Sequence, residues 1–160
     1  MEAMEVRMPL FEIVGLRVEA NLDELEAGLG KQTYESLIAK KDEIERKKNE
    51  NVILVQVYPM KPGFDPRVDR FVQYFGYEVS GSDAPPTGMV RHEVPEGKYA
   101  KYTHRGPESE LGRSYDYVYG VWMRETGHVP RGFDFEVWDL RYKPESPENE
   151  IDMYVALKDL

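Results

Sequence analysis

Short runs of alternating hydrophobic and polar residues, separated by turn formers, cover most of this chain. Residues 11–19, FEIVGLRVE, read as a strand. A helical stretch follows, interrupted near Gly28 and Gly30, with its stronger half over 32–47, where Tyr34, Leu37, Ile38 and Ile44 fall near one face. The β-branched run VILVQVYP at 52–59 predicts a second strand, MKPGFDP a turn, and RFVQYFGYEV at 70–79 a third strand. Residues 80–88, SGSDAPPTG, read as a loop. The order then begins again. GKYAKYTH at 97–104 predicts a strand, and Gly106-Pro107 opens a helix whose apolar face is Leu111, Tyr115, Val118, Tyr119 and Trp122. Gly127 closes that helix, and strands follow at 133–141 and 151–158 around the turn KPESPEN.

The order strand-helix-strand-strand therefore occurs twice, and residues repeat with it. An offset of 80 lays Val55-Gln56-Val57-Tyr58 on Phe135-Glu136-Val137-Trp138 and Tyr74 on Tyr154, while Pro9 and Pro95 suggest an offset nearer 86 at the front of each half. The expectation is one α+β domain over 1–160 with an internal repeat at about 9–80 and 89–160. The two units would be related by a pseudo-twofold axis. An antiparallel sheet would carry helices on one face and a ligand cleft on the other.

Composition narrows the function. The net charge of −9 opposes a phosphate backbone, and the densest basic run, Lys40 to Lys48, is interleaved with Asp42, Glu43 and Glu45, so direct nucleic-acid binding is not expected. No run approaches the roughly 20 apolar residues of a membrane span. The N-terminus lacks the apolar core of a signal peptide, and cysteine is absent, so a cytoplasmic protein is expected, without disulfides or zinc-thiolate sites. Asp65, Asp69, Glu145 and Glu148 match no calcium-loop spacing and read as solvated turn residues, so no metal site is expected.

The second half carries a family signature. GKYAKYTHRGPESEL, YDYVYGVWMRETGH and FDFEVWDLRYKPESPENEIDMYVALK resemble the gyrase-inhibitor-like (GyrI-like) small-molecule-binding family, which is also the effector-binding domain of AraC-type and MerR-type multidrug regulators. The resemblance covers residues 89–160 well. The first half matches in its order of elements only. It implies two strand-helix-strand-strand units with a ligand cleft between them, and Glu136 as the pocket acid. No residues are left for a separate DNA-binding domain, so the stand-alone form is expected. His92, His104 and His128 are not placed as axial ligands, and no haem or other cofactor is expected.

Strand alternation puts Asp134, Glu136, Trp138 and Leu140 on one face and Phe133, Phe135 and Val137 on the other. The phenylalanine face is expected to pack on the helix, leaving Glu136 and Trp138 toward the cleft, with Gln56 and Tyr58 as their counterparts in the repeat. Tyr102, rather than Tyr99, is assigned to the cleft. Trp122 and Tyr119 are further candidate contacts, with Tyr115 ranked below them. One carboxylate among large aromatic rings suits an aromatic or amphipathic cation, through charge and cation–π attraction. The alternatives for Glu136 are an exposed acid or a partner of Arg91 or Arg141. Three roles follow: a small-molecule binding protein, a hydrolase of reactive electrophiles with Glu136 as general acid or base, as some members of the family are, and a protein-interaction role toward gyrase or a regulator.

Overall fold

A computed structural model describes residues 2–81 and 83–159. In chain order the strands are β1 (Met4–Met8), β2 (Phe11–Ala20), β3 (Lys47–Val57), β4 (Phe71–Val79), β5 (Val90–Val94), β6 (Gly97–Arg105), β7 (Pro130–Trp138) and β8 (Glu150–Leu157). The α-helical pieces are α1 (Leu22–Glu24), α2 (Gly30–Ala39), α3 (Leu111–Tyr115) and α4 (Met123–Thr126). A π-helical turn, Leu25–Leu29, joins α1 to α2, and a longer one, Asp116–Trp122, joins α3 to α4. The chain divides into a first unit, Phe11–Val94, and a second unit made of Met1–Leu10 with Pro95–Leu160.

In the first unit β4 lies between β3 and β2, and β5 adds to β2, all antiparallel. In the second, β8 lies between β7 and β6, and β1 adds to β6, also antiparallel. The pairing pattern repeats. Gln56 faces Gln73 in β3–β4, and Glu136 faces Met153 in β7–β8, both members displaced by 80. Val18 faces Gln73 and Tyr102 faces Met153, so the first strands of the two units differ by 84 rather than the 86 suggested by the prolines. The strands β1 and β5 were not expected. MEVRM and VRHEV are short and charged, and only pairing with β6 and β2 selects the extended form.

The first helical run starts with a capping box. The Asn21 side chain accepts from the Glu24 backbone, and the Glu24 carboxylate accepts from the Asn21 N–H. Arg67 clamps Glu26 and Asp23, and Arg70 clamps Glu24, which ties the helix start to the turn before β4. Gly28, at φ 135, breaks the run where the glycines suggested. The helix does not continue to Lys47 as the spacing of Tyr34, Leu37, Ile38 and Ile44 predicted. It ends at Ala39, Arg46 takes a left-handed φ of 61, and Lys47 already pairs with Val79. Ile44 is buried from an extended backbone, so it serves the core without a helix beneath it. The sheet's claim on residues 47–51 overrides local propensity here.

Two glycines set the approach of β2 to β4. Gly15 and Gly76 face each other, and a Cβ on Gly15 would lie 1.9 Å from the carbonyl oxygen of Phe75. Overpacking of that kind costs about 1–3 kcal/mol, and here the obstacle is backbone, which cannot swing away. We expect Gly15→Ala to lower stability by at least about 2 kcal/mol in urea unfolding. Gly112→Ala, in open space on α3, should be neutral or stabilising by up to about 1 kcal/mol. Equal effects at the two positions would contradict the close approach.

Candidate functional site

The register of the second unit places Tyr102, Met153 and Glu136 in one row across β6, β8 and β7, so all three side chains share a face. Asp134 lies in the next row, opposite Val155. This face lies beneath the helical run, contrary to the expected arrangement. The Tyr115 hydroxyl donates to Glu136 Oε2 at 2.5 Å, and the Tyr119 hydroxyl donates to Asp134 at 2.7 Å. Phe135 is on the opposite face and is covered by rings of its own sheet, Tyr99 at 5.5 Å and Tyr154 at 4.6 Å between centroids. Hydrophobicity had assigned the helix to the phenylalanine face. In fact aromatic self-packing closes that face, and the helix covers the acids.

Tyr115 and Tyr119 are four residues apart, and their rings run nearly parallel at 6.3 Å. Tyr119 projects from the π-helical turn, a rare geometry often found at functional sites. The Trp138 indole N–H donates to Glu136 Oε1 at 2.9 Å, and its ring stacks on Tyr142 at 4.5 Å. Tyr142 in turn donates to Glu108. Tyr102 packs against Tyr117 of the π-helical turn at 5.0 Å. Trp122, a candidate contact, instead stacks on His128 at 4.7 Å.

Glu136 is 2% exposed. Burial pushes its carboxyl up to about 7, and the bonds from Tyr115 and Trp138 offset only part of that rise, while the neighbouring acids Glu108 and Asp134 add to it. The same burial raises the Glu108 carboxyl, and burial with the adjacent Asp134 holds the Tyr119 hydroxyl well above its usual range. Neither arginine considered as a partner reaches Glu136. Arg91 bonds Glu12 and two backbone carbonyls, and Arg141 bonds Asp139, Glu150 and Asp152. Among the described residues no ion pair to Glu136 is formed.

Gln56 and Tyr58 belong to the first unit. Gln56 is buried opposite Gln73, and Tyr58 packs with Phe64 and Phe71. Sequence reasoning did not include Asp134 in the site and ranked Tyr115 low. The signal available for both was the i,i+4 tyrosine pair on a helix beside alternating acids on a strand. Among the described residues no group of three or more His, Asp or Glu side chains is placed to hold a metal ion, and no helix is long and apolar enough to cross a membrane.

Two such units of antiparallel strands and a helical run have the architecture of an effector-binding domain of the GyrI-like class. Residues 6–157 match the family described as Cass2, integron-associated effector binding protein, and the chain belongs to it. It is 30% identical over 159 residues to the transcriptional regulator BrlR of Pseudomonas aeruginosa, covering 98% of this chain and 56% of the regulator. The chain thus spans about half the length of that relative. Its fold is similar to that of SAV2435 bound to tetraphenylphosphonium, with TM-score 0.74 and 12% identity over 99% of this chain and 94% of that one. It is also similar to the integron cassette protein VCH_CASS2 of Vibrio cholerae, with TM-score 0.67 and 14% identity over 99% and 97%.

The raised Glu136 carboxyl has a consequence for stability. Between its ordinary 4.5 and about 7 the folded chain keeps a proton that the unfolded chain releases. Stability from this group therefore falls as pH rises through that window, by about 3 kcal/mol in all. Glu136→Gln removes the titration. We expect the stability of the variant relative to wild type to improve by about 2–3 kcal/mol between pH 5 and pH 8 in urea unfolding. A difference that stays constant with pH would contradict the burial of an ionisable carboxyl.

Proposed function

We propose that the second unit binds an aromatic or amphipathic organic cation, with Glu136 as its anionic contact and Tyr102, Tyr115, Tyr119 and Trp138 as the surrounding rings. One observation carries this reading: a carboxyl buried to 2% exposure whose donors, among the described residues, are a neutral phenol and a neutral indole. A buried carboxylate without a cation is costly, and a cationic ligand relieves that cost. Tyrosine and tryptophan faces add cation–π attraction of about 0.5–2 kcal/mol each, the larger values in desolvated settings. The tetraphenylphosphonium bound by SAV2435, a protein of the same fold, is a ligand of this chemistry and supports the choice of probe. Trp122 stacks on His128 and is not needed by this reading. Gln56 and Tyr58, in the first unit, are not needed by this reading. The similarity to a transcriptional regulator supports a role in which the bound state is read by a regulatory partner.

The test is calorimetric titration of tetraphenylphosphonium into wild type and Glu136→Gln from pH 5 to pH 9. The cation favours the ionised acid. Affinity for wild type should therefore fall about tenfold per pH unit below 7 and level off above it. Glu136→Gln should bind at least about tenfold more weakly at pH 8, which is the loss of one modest charge contact, and should show no such pH dependence. Equal affinities for the two proteins, or no binding by wild type, would sink the proposal.

A further inference from the structure

A second set of groups in the same unit has the arrangement of a nucleophile and its base. His104 sits on β6 and Ser114 on α3, and His104 Nδ1 lies 2.7 Å from Ser114 Oγ. The other ring nitrogen, Nε2, lies 3.0 Å from the carbonyl oxygen of Pro107. A carbonyl can only accept, so in the neutral ring Nε2 carries the hydrogen and Nδ1 carries the lone pair. The Ser114 hydroxyl must then donate to Nδ1. This is the alignment a hydroxyl nucleophile needs, and the Pro107 carbonyl fixes tautomer and ring orientation as a third member does in hydrolytic triads.

The carbonyl is itself held in place. Gly106, at φ 117, donates its N–H to the Asn149 carbonyl and accepts from the Asn149 side chain. Asn149 is fully buried and also accepts from the Lys143 backbone. Ser114 and His104 line a cavity of about 270 Å³ together with Tyr102, Arg105, Glu110 and Arg113. In this lining Arg113 is paired with Glu110, and Arg105 with Glu150, so the wall carries both signs of charge.

We propose that Ser114 and His104 form an acyl-transfer centre for small carboxylic esters that enter this cavity. Ser114 Oγ attacks the ester carbonyl carbon while its proton passes to His104 Nδ1. The tetrahedral adduct then expels the alkoxide, which takes that proton and leaves as the alcohol. Water attacks the resulting acyl-serine, gives its proton to Nδ1, and the carboxylic acid leaves as the proton returns to Ser114 Oγ. Nothing is oxidised or reduced, and water is the sole co-reactant. The centre uses neither Glu136 nor a cationic ligand, so it stands apart from the binding reading.

The experiment treats the native protein with a fluorophosphonate probe, maps the adduct by tandem mass spectrometry, and follows p-nitrophenyl acetate hydrolysis alongside. Wild type should give one adduct, on Ser114, that is lost when the chain is first denatured in guanidinium chloride. It should also release p-nitrophenolate in a burst close to one equivalent. Ser114→Ala should lose both signals. His104→Gln should slow labelling by about 100-fold or more, the range of a general base. If that variant fails to fold, the wild-type labelling rate against pH replaces it and should rise as the medium is made less acidic. Absence of an adduct, an adduct elsewhere, labelling that survives denaturation, or a rate indifferent both to His104 and to pH would overturn the assignment.

Discussion

The second unit is organised around a carboxyl removed from water and supplied, among the described residues, with one phenol and one indole donor. Once Glu136 is placed on a buried strand face, each of its oxygens needs a hydrogen bond, and the fold supplies both. Trp138 comes from the same strand two residues on, so alternation alone brings it to the right face. Tyr115 comes from the helical run and fixes where that run lies over the sheet. Tyr119 then meets Asp134 one row away, and the two contacts together leave the helix little freedom to slide. The π-helical turn fits this constraint. It widens the helix by a residue at the point where Tyr117, Val118 and Tyr119 must reach Tyr102, the core and Asp134 in succession.

The remainder of the unit holds that strand face still. Arg141, in the turn after β7, bonds Asp139, Asp152 and Glu150 and so closes β7 onto β8, with Thr103 of β6 bonding Asp152 from the next strand. These groups are partly exposed, and their worth lies in fixing geometry more than in net stability. Asn149, at the far end of the same connection, joins it to the segment between β6 and α3. A site made of strand positions and one helical run, braced at this connection, is held more firmly than one made of loops.

Much of this was legible in the sequence because it rests on local pattern. The six longer strands, the break at Gly28, the helix stop at Gly127 and the repeat of Val55–Tyr58 at Phe135–Trp138 all follow from periodicity and turn chemistry. What failed required knowledge of partners. The run from Lys40 to Lys48 looks helical until Val79 pairs with Lys47. The strands β1 and β5 have no apolar rhythm and exist only as neighbours of β6 and β2. Alternation in β7 separates Glu136 from Phe135 without error, yet both faces are buried, so the rule that the apolar face meets the helix chose the wrong one. His104 and Ser114 were individually unremarkable, being a strand histidine and a helix serine ten residues apart, until the turn at Gly106 folded one onto the other.

The position of the Glu136 titration near neutrality bears on what such a site can accept. An acid fixed in the charged form would reject neutral aromatic ligands, because a neutral neighbour would leave it charged with still less water around it. An acid fixed in the neutral form would lose most of its attraction for cations. A carboxyl balanced at about 7 takes either form for little free energy at neutral pH. Tyr115 and Trp138 can serve both forms, since a hydroxyl or indole N–H donates to a carboxylate and to the carbonyl oxygen of a carboxylic acid. Charge selectivity therefore comes from the ligand shifting the protonation equilibrium rather than from a permanent field. The overall charge of −9 contributes little to it, because the acid lies beneath a helix and not on the surface. A site of this kind would discriminate mainly by how far each ligand pulls the carboxyl from its balance point.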